Sequence, residues 1–211
     1  MALVLHANPR SSNAQKVRFL LAELDLPHEL REVPFGDTRP DWHLAVNPLG
    51  GIPALVDGDL RLAESHAILR YLAAREGRDD LYPSDLRARA RVDWILDAIA
   101  TSLREATRPF DAAAYGWRRR QGIGSAPSAG DGGAAALAEA TPVLLQFAQL
   151  LDPSGYACHG RFTLADVAAA PYLHRILRSG NDLTALRRYT DWAEAVLARP
   201  AWGDIAVRSG V

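Results

Sequence analysis

The chain of 211 residues has one cysteine, Cys158, so it forms no internal disulfide and no cysteine-rich zinc site. That scarcity fits a reducing compartment. Neither sign of charge dominates: Lys+Arg total 24 and Asp+Glu 25, a formal net charge of -1. Without a basic excess there is little counterion release to drive binding, and the whole chain is not expected to bind nucleic acid. No apolar run approaches the ~18 residues a membrane span needs. The opening MALVLHANPR has no basic stretch followed by a long apolar one, so no secretory signal is expected. Lysine is scarce beside many arginines and alanines, a coding bias with no chemical meaning of its own. What is present is ordinary for a globular protein: 48% hydrophobic and 23% charged residues, enough to bury a core and to exclude wholesale disorder. The length allows one large domain or two small ones.

Periodicity divides the chain near residue 80. Ala2–His6 is a compact apolar run that reads as a buried strand. Val17, Leu20, Leu21 and Leu24 recur at helical spacing, and His28–Val33 can form a second strand. Strand, helix and strand within about 30 residues predict a βαβ unit with parallel strands. Phe35–Pro48 is polar and leaves room for a short helix. Ala54–Asp57 and Leu60–Leu62 flank Gly58-Asp59 as a hairpin, and Ala67, Ile68, Tyr71 and Leu72 mark the next helix. Residues 78–84, with Pro83, read as a linker. Beyond it the apolar pattern is helical throughout. Val92 to Leu103, Leu144 to Leu151, Leu164 to Tyr172 and Trp192 to Arg199 each line one face. Thr141-Pro142 reads as N-cap and first helical residue, and Pro109 and Pro171 are expected to kink, end or begin helices. Gln121–Gly133 is a Gly/Ser/Ala-rich loop. The expected architecture is α/β plus all-α: a small domain over 1–77, a linker over 78–84 and a helical domain over 85–211.

Four segments could carry chemistry. Asn8–Val17 joins the first strand to the first helix, with Ser11, Ser12 and Asn13 as N-cap types. A plain helix cap accounts for them; so does an anion site, because a helix N-terminus offers free N–H groups and a positive dipole end. No His and Asp spacing makes either serine a triad nucleophile. In Asn47–Leu55, Ile52-Pro53 precedes a strand and is a candidate cis peptide, with Gly50-Gly51 permitting a sharp turn. It would leave the Ile52 backbone ready to pair with an extended peptide; an ordinary turn is the alternative. Glu64 and Ser65 open a helix directly after a strand, where a cap and a carboxylate site look alike. Phe162–Asp166 reads as structural, with Thr163 and Asp166 as a capping-box variant and Phe162 as its staple. The six histidines show no spacing that indicates a metal, and Cys158 is expected to be inert.

In order and spacing these segments resemble the soluble (cytosolic) glutathione transferase family, and within it a serine-type bacterial member. The resemblance spans nearly the whole chain. It rests on NPLGGIPALVDGD, LAESHAILRYLA, LYPSD, GRFTLADVAAAPYLHR and ARPAW. It implies a thioredoxin-like βαβ-ββα domain with a C-terminal α-helical bundle domain. It also implies a cytoplasmic homodimer in detoxification, with glutathione as cosubstrate, no metal, and a small hydrophobic electrophile held between the domains. Carried over residue by residue, Ser11 would contact the thiol. Ser12 is the runner-up and the expected helix cap. Ile52, before cis-like Pro53, would pair with the cysteinyl unit. Glu64 and Ser65 would hold the γ-glutamyl end, and Arg39 would lie near the glycyl carboxylate. One departure stands out. The residue before Ile52 is usually Lys or Gln and here is Gly51, which predicts about tenfold weaker glutathione binding unless Arg39 or Arg10 compensates. Trp94, Tyr115 and Trp117 are candidates for the electrophile site, or for core. The same fold also supports glutathione-dependent isomerases, dehalogenases and peroxidases, and non-catalytic interaction modules.

Overall fold

The computed structural model describes residues 2–36, 38–110 and 132–209. Two compact units emerge, Met1–Asp79 with Pro200–Val211, and Asp80–Arg199.

The first unit is built on a four-stranded sheet of order β2-β1-β3-β4. The strands are β1 (Leu3–Ala7), β2 (His28–Glu32), β3 (Ala54–Asp57) and β4 (Leu60–Ala63). The helix α1 (Ser12–Glu23) is the crossover that makes β1 and β2 parallel, with Leu3 opposite His28 and Ala7 opposite Glu32. The short helix α2 (Asp41–Leu44) leads to β3, which runs antiparallel to β1 and pairs with β4 as the expected hairpin. Helix α3 (Ser65–Arg75) follows. This is the thioredoxin-like arrangement predicted from the sequence. Leu3, Leu5, Ala7, Val17, Leu20, Leu21, Ile68, Leu69 and Leu72 form its core.

Ser11, not Ser12, occupies the N-cap position of α1, in extended conformation, and its hydroxyl makes no capping bond. Ser12 is already the first helical residue, which corrects its expected role as cap. The run from Ala14 to Leu21 is buried on every side, polar Gln15, Lys16 and Arg18 included. The reason is that α1 meets both α3 and the last helix, α9 (Pro200–Ser209), where Phe19 and Trp202 stack edge-on at 5.4 Å. Residues 200–209 therefore join the first unit, whereas the sequence reading gave everything after 85 to the helical domain.

The second unit contains α4 (Leu86–Ala98), a π-helical turn Ile99–Leu103, α5 (Arg104–Thr107), α6 (Gly132–Leu150), α7 (Leu164–Leu177) and α8 (Arg187–Leu197). Its centre is α7, buried from Leu164 through Leu173. The predicted cap holds α7 in place: Asp166 Oδ2 accepts from the Thr163 N–H at 2.8 Å and the Thr163 hydroxyl at 3.0 Å. Its other oxygen accepts from the Ala157 N–H at 2.9 Å and Trp192 Nε1 at 2.8 Å. Burial pushes the Asp166 carboxyl pKa up, while these donors pull it back.

Some local readings are corrected. Thr141-Pro142 does not start a helix: α6 begins at Gly132 and runs through Pro142, and the Thr141 hydroxyl bonds back to the Leu137 carbonyl at 2.6 Å. Gly132 and Gly133 belong to α6, and the rest of the predicted Gln121–Gly133 loop lies outside the described residues, as do Tyr115 and Trp117. Trp94 is 54% exposed beside the Arg91 guanidinium, which removes it from the core.

Candidate functional site

The sheet register brings the predicted segments to one end of the first unit. His6 of β1 pairs with Ala54 of β3, and Ala54 pairs with Ala63 of β4. The residues just beyond those positions therefore emerge side by side: the turn into α1 with Ser11, the Ile52-Pro53 peptide, and Glu64-Ser65.

Asn8 builds the first of these. It is buried, its side-chain amide donates to the Val33 carbonyl at 3.1 Å, and its Oδ1 accepts the Arg10 N–H at 3.1 Å. The Ser11 N–H donates to the Asn8 carbonyl at 2.9 Å, which sets Ser11 at the opening of α1. With its hydroxyl free of any cap bond, that residue can turn its O–H, and the helix its first N–H groups, toward an anion.

The second segment has the predicted cis peptide between Ile52 and Pro53. Pro53 is buried, Gly51 is exposed, and Gly50 adopts φ 68°, a conformation glycine accepts without penalty. Three side chains fix the loop ahead of it. Arg39 Nε donates to the Gly50 carbonyl at 2.8 Å, and Arg39 Nη1 to Pro34 and Gly36 carbonyls at 2.9 and 3.4 Å. Asn47 Nδ2 donates to the Gly51 carbonyl at 2.8 Å, and His43 Nε2 lies 3.0 Å from the same oxygen. Arg39 thus serves the loop ahead of the cis peptide.

The third segment starts α3. Glu64 occupies the N-cap position at φ 66°, ψ 115°, and Ser65 is the first helical residue, only 6% exposed. A left-handed φ at a non-glycine residue costs about 1–3 kcal/mol and concentrates at ligand-binding positions.

Among the described residues no group of His, Cys, Asp and Glu is arranged to hold a metal. His6 and His43, which metal-type spacing does not single out, are both buried at this end of the sheet, with their Nδ1 atoms 3.5 Å apart. Burial, then the His43 and Arg31 charges, hold the His6 imidazole below its usual pKa. A histidine closing the apolar strand ALVLH was the available signal. Cys158 is buried, and burial pushes its thiol pKa up, in keeping with an inert residue. Among the described residues, no helix is long and apolar enough to cross a membrane.

Residues 5–79 match the family model described as "Glutathione S-transferase, N-terminal domain". Over 206 residues the chain is 30% identical to glutathione S-transferase GstB of Escherichia coli K12, covering 94% of this chain and 95% of that protein. It is 43% identical over 107 residues to human glutathione S-transferase theta-1, covering 49% of this chain and 45% of that protein. That match spans about half the length of the theta relative. The fold superimposes on apo human glutathione S-transferase T1-1 with a TM-score of 0.77 at 30% identity, over 99% of this chain and 87% of that one.

Proposed function

The chain belongs to the glutathione S-transferase family, and on that footing we propose that it activates the thiol of bound glutathione for attack on a hydrophobic electrophile. The observation that carries this reading is the register that sets Ser11, Ile52-Pro53 and Glu64-Ser65 at one end of one sheet.

In this reading glutathione lies extended. Its cysteinyl unit pairs with the Ile52 backbone, its γ-glutamyl end meets Glu64 and Ser65, and its glycyl carboxylate faces Arg39. The sulfur then points at the opening turn of α1. A free thiol of pKa about 8.5 is only a few per cent ionised at neutral pH. Lowering it by about two units takes roughly 2.7 kcal/mol of preference for the thiolate. A hydrogen bond from the Ser11 hydroxyl supplies about 1.5–3 kcal/mol, and the end of the helix dipole up to about 1 kcal/mol more. With an aromatic chloride, the sulfur lone pair forms the new carbon–sulfur bond, chloride leaves, and the thiol proton passes to water. This is the serine-type assignment, and it rests on the position of Ser11. A cytoplasmic homodimer is part of the same proposal and rests on family membership.

Turnover of 1-chloro-2,4-dinitrobenzene with glutathione tests the reading. Saturable conjugation is the expected result. Retention on glutathione resin without turnover favours a non-catalytic binding module, and neither retention nor turnover rejects the reading.

A further inference from the structure

We propose that His43 and Asn47, backed by His6, are positioning residues for the thiol peptide: they clamp the Gly51 carbonyl and so aim the Ile52 backbone at its ligand. This rests on the glutathione reading above, which places the peptide along Ile52.

The Gly51 carbonyl can only accept, and two side chains converge on it, Asn47 Nδ2 at 2.8 Å and His43 Nε2 at 3.0 Å. His43 therefore carries a hydrogen on Nε2. Its Nδ1 faces His6 Nδ1 at 3.5 Å. A chain of polar contacts thus runs from β1 through α2 to the residue before Ile52. Both rings are buried, at 2% exposure for His6 and 0% for His43, and Trp42 packs against each, with centroids 5.4 and 6.0 Å away. The rings have little room to turn.

The position that is clamped has no side chain of its own. A Cβ at Gly51 would meet Asn47 Nδ2 at 3.5 Å, an ordinary contact, so sterics do not demand glycine there. With no side chain at 51 to grip the ligand, recognition at this point falls to backbone groups. A backbone edge binds an extended peptide well only if it is already ordered, since otherwise binding must supply the ordering. Arg39 on Gly50, and His43 with Asn47 on Gly51, provide that order.

The test compares Asn47→Asp, His43→Phe and His43→Gln with wild type in full-length protein. Asn47→Asp keeps the acceptor for the Leu49 N–H but replaces the donor to Gly51 with a charged carboxylate oxygen that repels that carbonyl. Asn47→Asp and His43→Phe are each expected to raise KM for glutathione about tenfold, with kcat within about twofold of wild type. His43→Gln, whose amide can still donate to Gly51, is expected to stay within about threefold of wild type in KM. In ligand-free protein the Ile52 amide resonance should move in the first two variants, a readout that needs no activity. Folded variants with unchanged KM and an unmoved Ile52 resonance overturn the clamp, as does a loss confined to kcat. If wild-type protein shows no calorimetric binding of glutathione, the functional reading falls and takes the clamp with it. Binding by wild type that is undiminished in both variants rejects the clamp alone.

Discussion

Lys16 Nζ lies 3.0 Å from His66 Nε2, and both side chains are buried, Lys16 at 1% exposure. The chain's only lysine is therefore an interior residue that ties α1 to the start of α3, with Asn13 Oδ1 also 3.0 Å from its nitrogen. Amine-directed reagents should leave Lys16 unmodified in native protein and modify it after denaturation, as read by peptide mass spectrometry. Rapid labelling of Lys16 in the native state would contradict its burial.

Ser11→Ala should lower kcat/KM for conjugation about ten- to hundredfold and raise the apparent thiol pKa of bound glutathione, read from thiolate absorbance. Ser12→Ala should change either by less than about twofold. The opposite ranking would assign the thiol contact to Ser12.

Much of this site was legible in the sequence because its signals are local. Ile-Pro ahead of a strand, a serine before an apolar helix and Glu-Ser after a strand are backbone features that neighbours in the chain decide. His43 and Lys16 were not legible. The side chains they meet across the fold, His6 and His66, lie 37 and 50 residues away, and no local pattern marks a polar side chain as buried. Thr141-Pro142 misled for the converse reason: the alanine-rich stretch before it has strong helix propensity, and the helix continues through a good local start signal. Trp94 misled because an aromatic at helical spacing reads as core, yet it is more than half exposed, with the Arg91 guanidinium over its ring.

Asp166→Ala should cost about 3–5 kcal/mol, because it strips the acceptor from the Ala157 and Thr163 N–H groups and from Trp192 Nε1 at one buried point. Denaturant unfolding measures it. A loss below about 1 kcal/mol would mean that water replaces the carboxylate there.

The His6 and His174 imidazoles are both held below their usual pKa, chiefly by burial. A base with a depressed folded-state pKa takes up its proton more readily when unfolded. Stability should therefore be intact above about pH 6.5 and decline as pH falls through the depressed values. Urea midpoints at pH 7.5 and 5.5 should show the decline, and His6→Leu with His174→Leu should reduce it. An unaltered slope in the double variant would place the acid sensitivity elsewhere.

Native protein should show no thiol that reacts quickly with Ellman's reagent, since Cys158 is 2% exposed and burial raises its pKa. Thiol consumed in a turnover assay then belongs to glutathione. A fast-reacting equivalent in native protein would show that the Cys158 pocket opens.

The Phe19–Trp202 contact bears on how the protein is made. Residues 1–79 are translated before residues 200–209, so one flank of α1 stays bare until the helix beginning at Pro200 has been made. The thioredoxin-like unit is thus completed only by a helix translated after the whole helical unit, and until then the Phe19 ring lacks its Trp202 cover.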